Sequence, residues 1–239
     1  MAAEIDIYEF LLRPGNLASA LRMIGHLKQL EQSHQDELSE EDARIQTLLQ
    51  QPDHREMVCR LDRSVERLKA RALRDFWAMS TLAVGNRLRE SPLSKDWMLL
   101  QTDLSHFRHS SVTFLRMRQK AFGDLKLPVI EIICNQFHNS ISLGVWFSNQ
   151  ANSKNESYLV KSILPKMKPD GFTMAGGGAY PYKELFGLTT PEFMEKMARD
   201  PVDEVQKFAD AFWDFFVKYA PRVAMWNLEI QESQNISTS

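Results

Sequence analysis

Arg60, Arg63, Arg67, Arg71 and Arg74 follow one another at steps of 3, 4, 4 and 3 residues, the spacing that brings side chains to one side of an α-helix. A guanidinium is a planar fork that grips phosphate or carboxylate through two parallel hydrogen bonds. A row of such forks rising ~1.5 Å per residue has the form of a track for a nucleic-acid backbone or an acidic protein surface. The same row serves equally as a solvated helix face knit by pairs such as Glu56 with Arg60 and Arg71 with Asp75, or as a face packed against an acidic neighbour. His109, Arg116 and Lys120 fall on one side of the next helical pattern and extend the row if the two helices are neighbours.

The second chemical candidate is the stretch "DGFTMAGGGAYPYKELFG", residues 170–187, which holds five of the ten glycines in the chain. Gly176, Gly177 and Gly178 permit positive φ and close approach of backbone to a ligand, and bare amides in such a loop form an anion nest. Lys183 suits a phosphate there, and Tyr180 and Tyr182 suit a base or sugar. A tight connection whose tyrosines cover the core is the competing reading. The order of hairpin, helix and Gly-Gly-Gly resembles the C-terminal substrate domain of DHH-type phosphoesterases. That family has a histidine after the glycines where Ala179 stands here, and its DHH motif is missing, so the resemblance implies no site residue.

Other chemistry finds less support. The pairs His106 with His109 and Cys134 with His138 are zinc-ligand types without a carboxylate or CxxC to complete a set, so no metal and no cofactor is expected. Asp103, Glu131, Asp170 and Glu184 are acids that nothing pairs along the chain. GxSxG, HExxH, GxGxxG and GxxxxGK[ST] do not occur, so whether the chain is an enzyme stays open.

Composition bounds these readings. The chain has 239 residues, 44% of them hydrophobic, with 14 Phe, 5 Tyr and 5 Trp, which is the make-up of a folded protein. Net charge is -2, but residues 52–126 carry 15 basic and 9 acidic side chains while residues 1–51 carry 4 and 9. Such asymmetry favours an acidic partner or internal pairing. Two cysteines make no disulfide framework, the first residues are acidic rather than basic, and no apolar run approaches ~20 residues, so a cytoplasmic protein with no membrane contact is expected.

The elements that must position these groups follow from periodicity. Helices are predicted from Leu17 to about Glu37, from a capping box of Ser39 with Asp42 to about Gln50, and from Asp53 to Met79, the last with Val58, Leu61, Val65, Leu68, Ala72 and Phe76 on its apolar stripe. A further helix is predicted over residues 94–121. Runs "VIEIICNQ" and "NSISLGVWF" read as a β-hairpin turning near Phe137. Thr190–Pro191 and Asp200–Pro201 each open a helix, the second ending at Pro221, after which "RVAMWNLEI" reads as a strand. The fold class is therefore α+β: a helical region over 1–125 with a basic middle, then a small hairpin or sheet packed with helices over 126–239. Trp213 and Phe216 lie outside the main stripe of the last helix, which makes a homo-oligomer a further reading.

Overall fold

The computed structural model describes residues 11, 13, 15–32, 51–101, 114–122, 129–137, 140–148, 158–174, 181–188 and 190–237. It is an α+β protein. The chain forms two compact units, Met1–Asp75 with Thr189–Pro201 and Phe76–Leu188 with Val202–Ser239.

The first unit is helical. Helix α1 (Asn16–Gln32) buries Leu17, Ala20 and Ile24, and the opening part of helix α2 (Pro52–Glu90) buries Val58, Leu61, Val65, Leu68 and Ala72 at the predicted spacing. Helix α4 (Pro191–Arg199) starts as its sequence requires. The Thr190 hydroxyl accepts the Phe193 N–H at 3.2 Å, Pro191 occupies the first turn, and Phe193, Met194 and Met197 point inward. The Glu195 carboxylate accepts the Gly15 N–H at 3.3 Å, where Gly15 holds φ 76°. Ser39, Asp42 and the helix expected up to Gln50 lie outside the described residues.

The second unit is a six-stranded antiparallel sheet in the order β1-β2-β3-β4-β6-β5, formed by β1 (Trp97–Gln101), β2 (Phe114–Gln119), β3 (Val129–Phe137), β4 (Ser140–Ser148), β5 (Thr173–Met174) and β6 (Pro181–Gly187). The hairpin stands as predicted, with register from Val129↔Ser148 to Phe137↔Ser140. Alternation gives each face its own character. Leu115 and Met117, Ile130, Ile132 and Cys134, and Ile141, Leu143, Val145 and Phe147 share one apolar face. The remainder of α2 and helix α5 (Pro201–Ser237) pack there. The Trp77 indole N–H donates to Gln136 Oε1 at 2.8 Å, and the Phe216 ring meets Trp97 edge-on at 5.2 Å. Phe76, Trp77 and Phe208 lock the two helices together with centroid separations of 5.4–5.6 Å.

Two predicted elements are corrected. The described residues of 94–121 are not one helix. Ser91 caps only a 3-10 turn, Pro92–Lys95, and Trp97–Gln101 and Phe114–Gln119 are strands, so the sheet begins before residue 125. The run "FLRMRQ" has period two, with Leu115 and Met117 buried and Arg116 and Arg118 on the other side, and pairing with β3 outweighs the fortuitous three- and four-residue steps. Nor does Pro221 end the last helix. Helix α5 continues to Ser237, and "RVAMWNLEI" is helical. Pro221 forfeits its bond to the Val217 carbonyl, but both residues are exposed, and burial of Val223, Trp226 and Asn227 in the continuing helix offsets the loss.

Between β4 and β5 the chain passes from a π-helical turn (Leu159–Ile163) into helix α3 (Leu164–Met167) and a 3-10 turn (Lys168–Asp170), which Gly171 closes in the left-handed conformation at φ 85°. No described helix is long and apolar enough to cross a membrane.

Candidate functional site

All five arginines of the predicted row are exposed on α2. Their contacts stay within one turn of the same helix. Arg60 Nη2 donates to Glu56 Oε1 at 2.7 Å and Arg63 Nε to the Cys59 carbonyl at 3.3 Å; Arg71 and Arg74 lie 3.7 and 3.5 Å from the Asp75 carboxylate. Arg67 has no partner among the described residues. With side chains 64% exposed at Arg60, 75% at Arg71 and 55% at Arg74, these ion pairs are solvent-screened contacts worth about 0.5 kcal/mol or less, which a competing anion can replace.

The proposed extension of that row is corrected. Arg116 sits on β2, bonded to Glu131, and Lys120 sits in the 3-10 turn Lys120–Phe122, where its Nζ donates to the Ser94 carbonyl at 2.7 Å. Neither is on a helix face, because the helix that would have aligned them is two strands. His109 lies outside the described residues, as do Gly176, Gly177, Gly178 and Tyr180. The residues that flank this glycine run are described: β5 and β6 pair through Thr173↔Tyr182 and Met174↔Pro181. Among the described residues of this stretch Gly171 holds positive φ, and its missing Cβ would meet the Lys183 side chain at 3.7 Å.

Lys183 is thereby part of a cluster that sequence spacing does not reveal. The Asp170 carboxylate accepts the Lys218 ammonium at 2.7 Å and the Tyr219 hydroxyl, and its backbone carbonyl accepts Lys183 Nζ at 3.2 Å. Arg222 stacks over the Tyr219 ring at 5.3 Å. The hydrogen bond from Lys218, then that from Tyr219, holds the Asp170 carboxyl below its usual 3.8, while burial, followed by the Asp170 hydrogen bond, pushes the Tyr219 hydroxyl up. A carboxyl depressed on folding stabilises the fold above its unfolded value and loses that contribution as pH falls through the folded one. Urea denaturation between about pH 2 and about pH 6 should therefore show a flatter acid limb for Asp170→Asn than for the wild type. An unchanged slope would mean the cluster adds nothing to acid stability. Asp210, held low chiefly by its hydrogen bond from Arg87, behaves in the same sense.

The other face of the sheet mixes polar groups with buried Val129 and Ile133. Arg116 and Arg118 on β2 both reach Glu131 on β3, which is completely buried. Cross-strand register sets Trp146 opposite Glu131, Gly144 opposite Ile133, Tyr182 opposite Gly144, and Ser142 between Asn135 and Glu184. Of the four acids singled out in the sequence, Glu131 and Asp170 thus acquire cationic partners, Glu184 lies on this face, and Asp103 is outside the described residues. Among the described residues no group of three metal-ligating side chains occurs. The chain matches no family model, no curated protein and no solved structure, so the likeness to phosphoesterase domains gains no support.

Proposed function

We propose that this is a binding or accessory protein that contacts a phosphate backbone through the arginine row of α2. The observation that carries the reading is the shared exposure of Arg60, Arg63, Arg67, Arg71 and Arg74, whose described partners lie only on their own helix. With a net charge of -2 the chain has no general attraction for polyanions, so contact must be local and oriented. Charge reversal of Arg63, Arg67 and Arg71 together should weaken binding to duplex DNA or RNA and lower the slope of log K against log salt by ~0.9 for each lost contact on duplex DNA. Wild-type protein that binds neither nucleic acid at low salt, or a triple variant that binds equally well, overturns the reading. Recovery of an acidic protein by wild type but not by the triple variant would assign the row to a protein surface instead.

A self-associating α5 is the alternative favoured by exposed Val217, Met225 and Leu228, at 45%, 55% and 55%. Phe216 adds nothing to that surface, being fully buried against Trp97 and Trp213. Sedimentation of a strict monomer at high concentration would remove it.

A further inference from the structure

We infer that the surface formed by the chain from Tyr158 to Asp170 and by α5 from Val217 to Glu229 docks on an anionic lipid surface. Both stretches belong to the second unit. Three contacts set them side by side in opposite directions. The Tyr158 hydroxyl donates to the Glu229 carboxylate at 2.9 Å, Lys166 Nζ lies 5.8 Å from the centre of the Trp226 ring, and Lys218 meets Asp170 at 2.7 Å.

Apolar and basic side chains gather on these two stretches. Of the seven large hydrophobic residues exposed among the described residues, four are here: Val160, Val217, Met225 and Leu228. With them stand five basic side chains, Lys161, Lys166, Lys168, Lys218 and Arg222, against two acids, in a chain whose net charge is -2. Both acids are already engaged, Asp170 by Lys218 and Tyr219, and Glu229 by Tyr158. Among the described residues Lys161 and Lys168 have no acidic partner, while Lys166 and Arg222 lie over the rings of Trp226 and Tyr219.

The composition selects lipid over protein or nucleic acid. Protein interfaces are rich in aromatic residues and arginine and poor in lysine, whereas four of these five cations are lysines and Tyr219 and Trp226 are buried. Buried rings also leave nothing for nucleobases to stack on. A lysine is a point charge on a flexible aliphatic stem. Its ammonium stays level with acidic headgroups while the stem and the neighbouring Val, Met and Leu side chains enter the acyl boundary. Toward its N-terminus the exposed side of α5 carries Asp203, Asp210 and Asp214, which confines the contact to the C-terminal half. Such docking is peripheral and uses no membrane-crossing helix. It departs from the expectation of no membrane contact because only the fold brings the two stretches together. None of the arginines in the α2 row takes part.

The test is co-sedimentation of the full chain at low ionic strength with vesicles of phosphatidylcholine alone and of equal parts phosphatidylcholine and phosphatidylserine. The phosphatidylserine vesicles should bind about tenfold or more tighter, and added salt should weaken them. Lys161→Gln, Lys166→Gln and Lys168→Gln together should lower that affinity about a hundredfold, since each cation near such a surface supplies about a factor of five. Met225→Ser with Leu228→Ser keeps every charge and should lower it by about tenfold. All five positions are exposed, so circular dichroism should match the wild type. The Arg63, Arg67 and Arg71 charge-reversal variant should bind vesicles like wild type. Absence of binding to phosphatidylserine vesicles, or equal binding by the lysine variant, overturns the inference. So does binding that is lost in the α2 variant instead. Without vesicle binding, a dimer that Met225→Ser with Leu228→Ser dissolves would assign the face to a second copy, and an acidic protein captured by wild type but not by the lysine variant would assign it to that protein.

Discussion

Glu131→Ala is expected to destabilise the protein by about 3–5 kcal/mol, lowering the melting temperature on the order of 10 °C. The cost does not come from the value of the ion pairs themselves. Glu131 is fully buried in a central strand, and removing its carboxylate leaves Arg118, whose side chain is 14% exposed, without its carboxylate and takes one contact from Arg116. A buried charge that loses its partner costs far more than the pair contributes when intact. The companion experiment therefore separates charge from packing. If Arg116, Arg118 and Glu131 are all replaced by leucine, most of the stability should return, because the charges disappear together and apolar groups of similar volume fill the face. Urea denaturation read by circular dichroism measures both variants. A loss below about 1 kcal/mol in Glu131→Ala would mean that water or neighbouring groups already neutralise the arginines.

The cluster around Glu131 also shows where sequence reading stops. Helical stripes and the β3–β4 hairpin are local patterns, in which the residues that share a face are three, four or two positions apart, and those were legible: Val58 to Ala72 on α2, and Ile130 to Cys134 against Leu143 to Phe147. The Thr190 cap was legible for the same reason, its donor being three residues away. Glu131 meets Arg118 and Arg116 at separations of 13 and 15 residues, and the pairing depends on β2 being a strand. Once residues 94–121 are read as a helix, Arg116 is aligned with Lys120 rather than with Glu131. One error of period therefore displaced both a structural element and the residues assigned to it. Asp170 with Lys218 and Tyr219 was beyond reach in a different way, since its partners lie 48 and 49 residues off on a helix whose face no pattern marks as facing that turn. Pro221 misled because the penalty for proline inside a helix is an average, and here the affected carbonyl lies at an exposed position.

Asn227→Leu is expected to cost about 2–4 kcal/mol, although leucine matches asparagine in size and sits in an apolar helix face. Register between β2 and β3 runs from Phe114↔Asn135 to Met117↔Ile132, so the peptide groups of Ile130 lie past its end. Asn227, 2% exposed on α5, takes the place of the missing strand. Its Oδ1 accepts the Ile130 N–H at 2.8 Å, and its Nδ2 donates to the Ile130 carbonyl at 3.1 Å and to Gln119 Oε1 at 2.8 Å. A primary amide reproduces the donor and acceptor of a peptide unit, which no apolar residue can do. Leucine would leave a buried N–H and a buried C=O without partners, each costing about 1–3 kcal/mol, partly offset by its own burial. Asn227→Asp tests the same point from the other side, since it keeps the acceptor and loses both donations, and it should be no milder than leucine. Native-state hydrogen exchange gives the specific readout. The Ile130 amide should be among the well-protected sites in the wild type and should lose protection in Asn227→Leu by more than the global loss of stability accounts for. Wild-type stability together with an unchanged Ile130 exchange rate in that variant would show that α5 does not complete the ladder, and that the sheet edge at Ile130 is satisfied in another way.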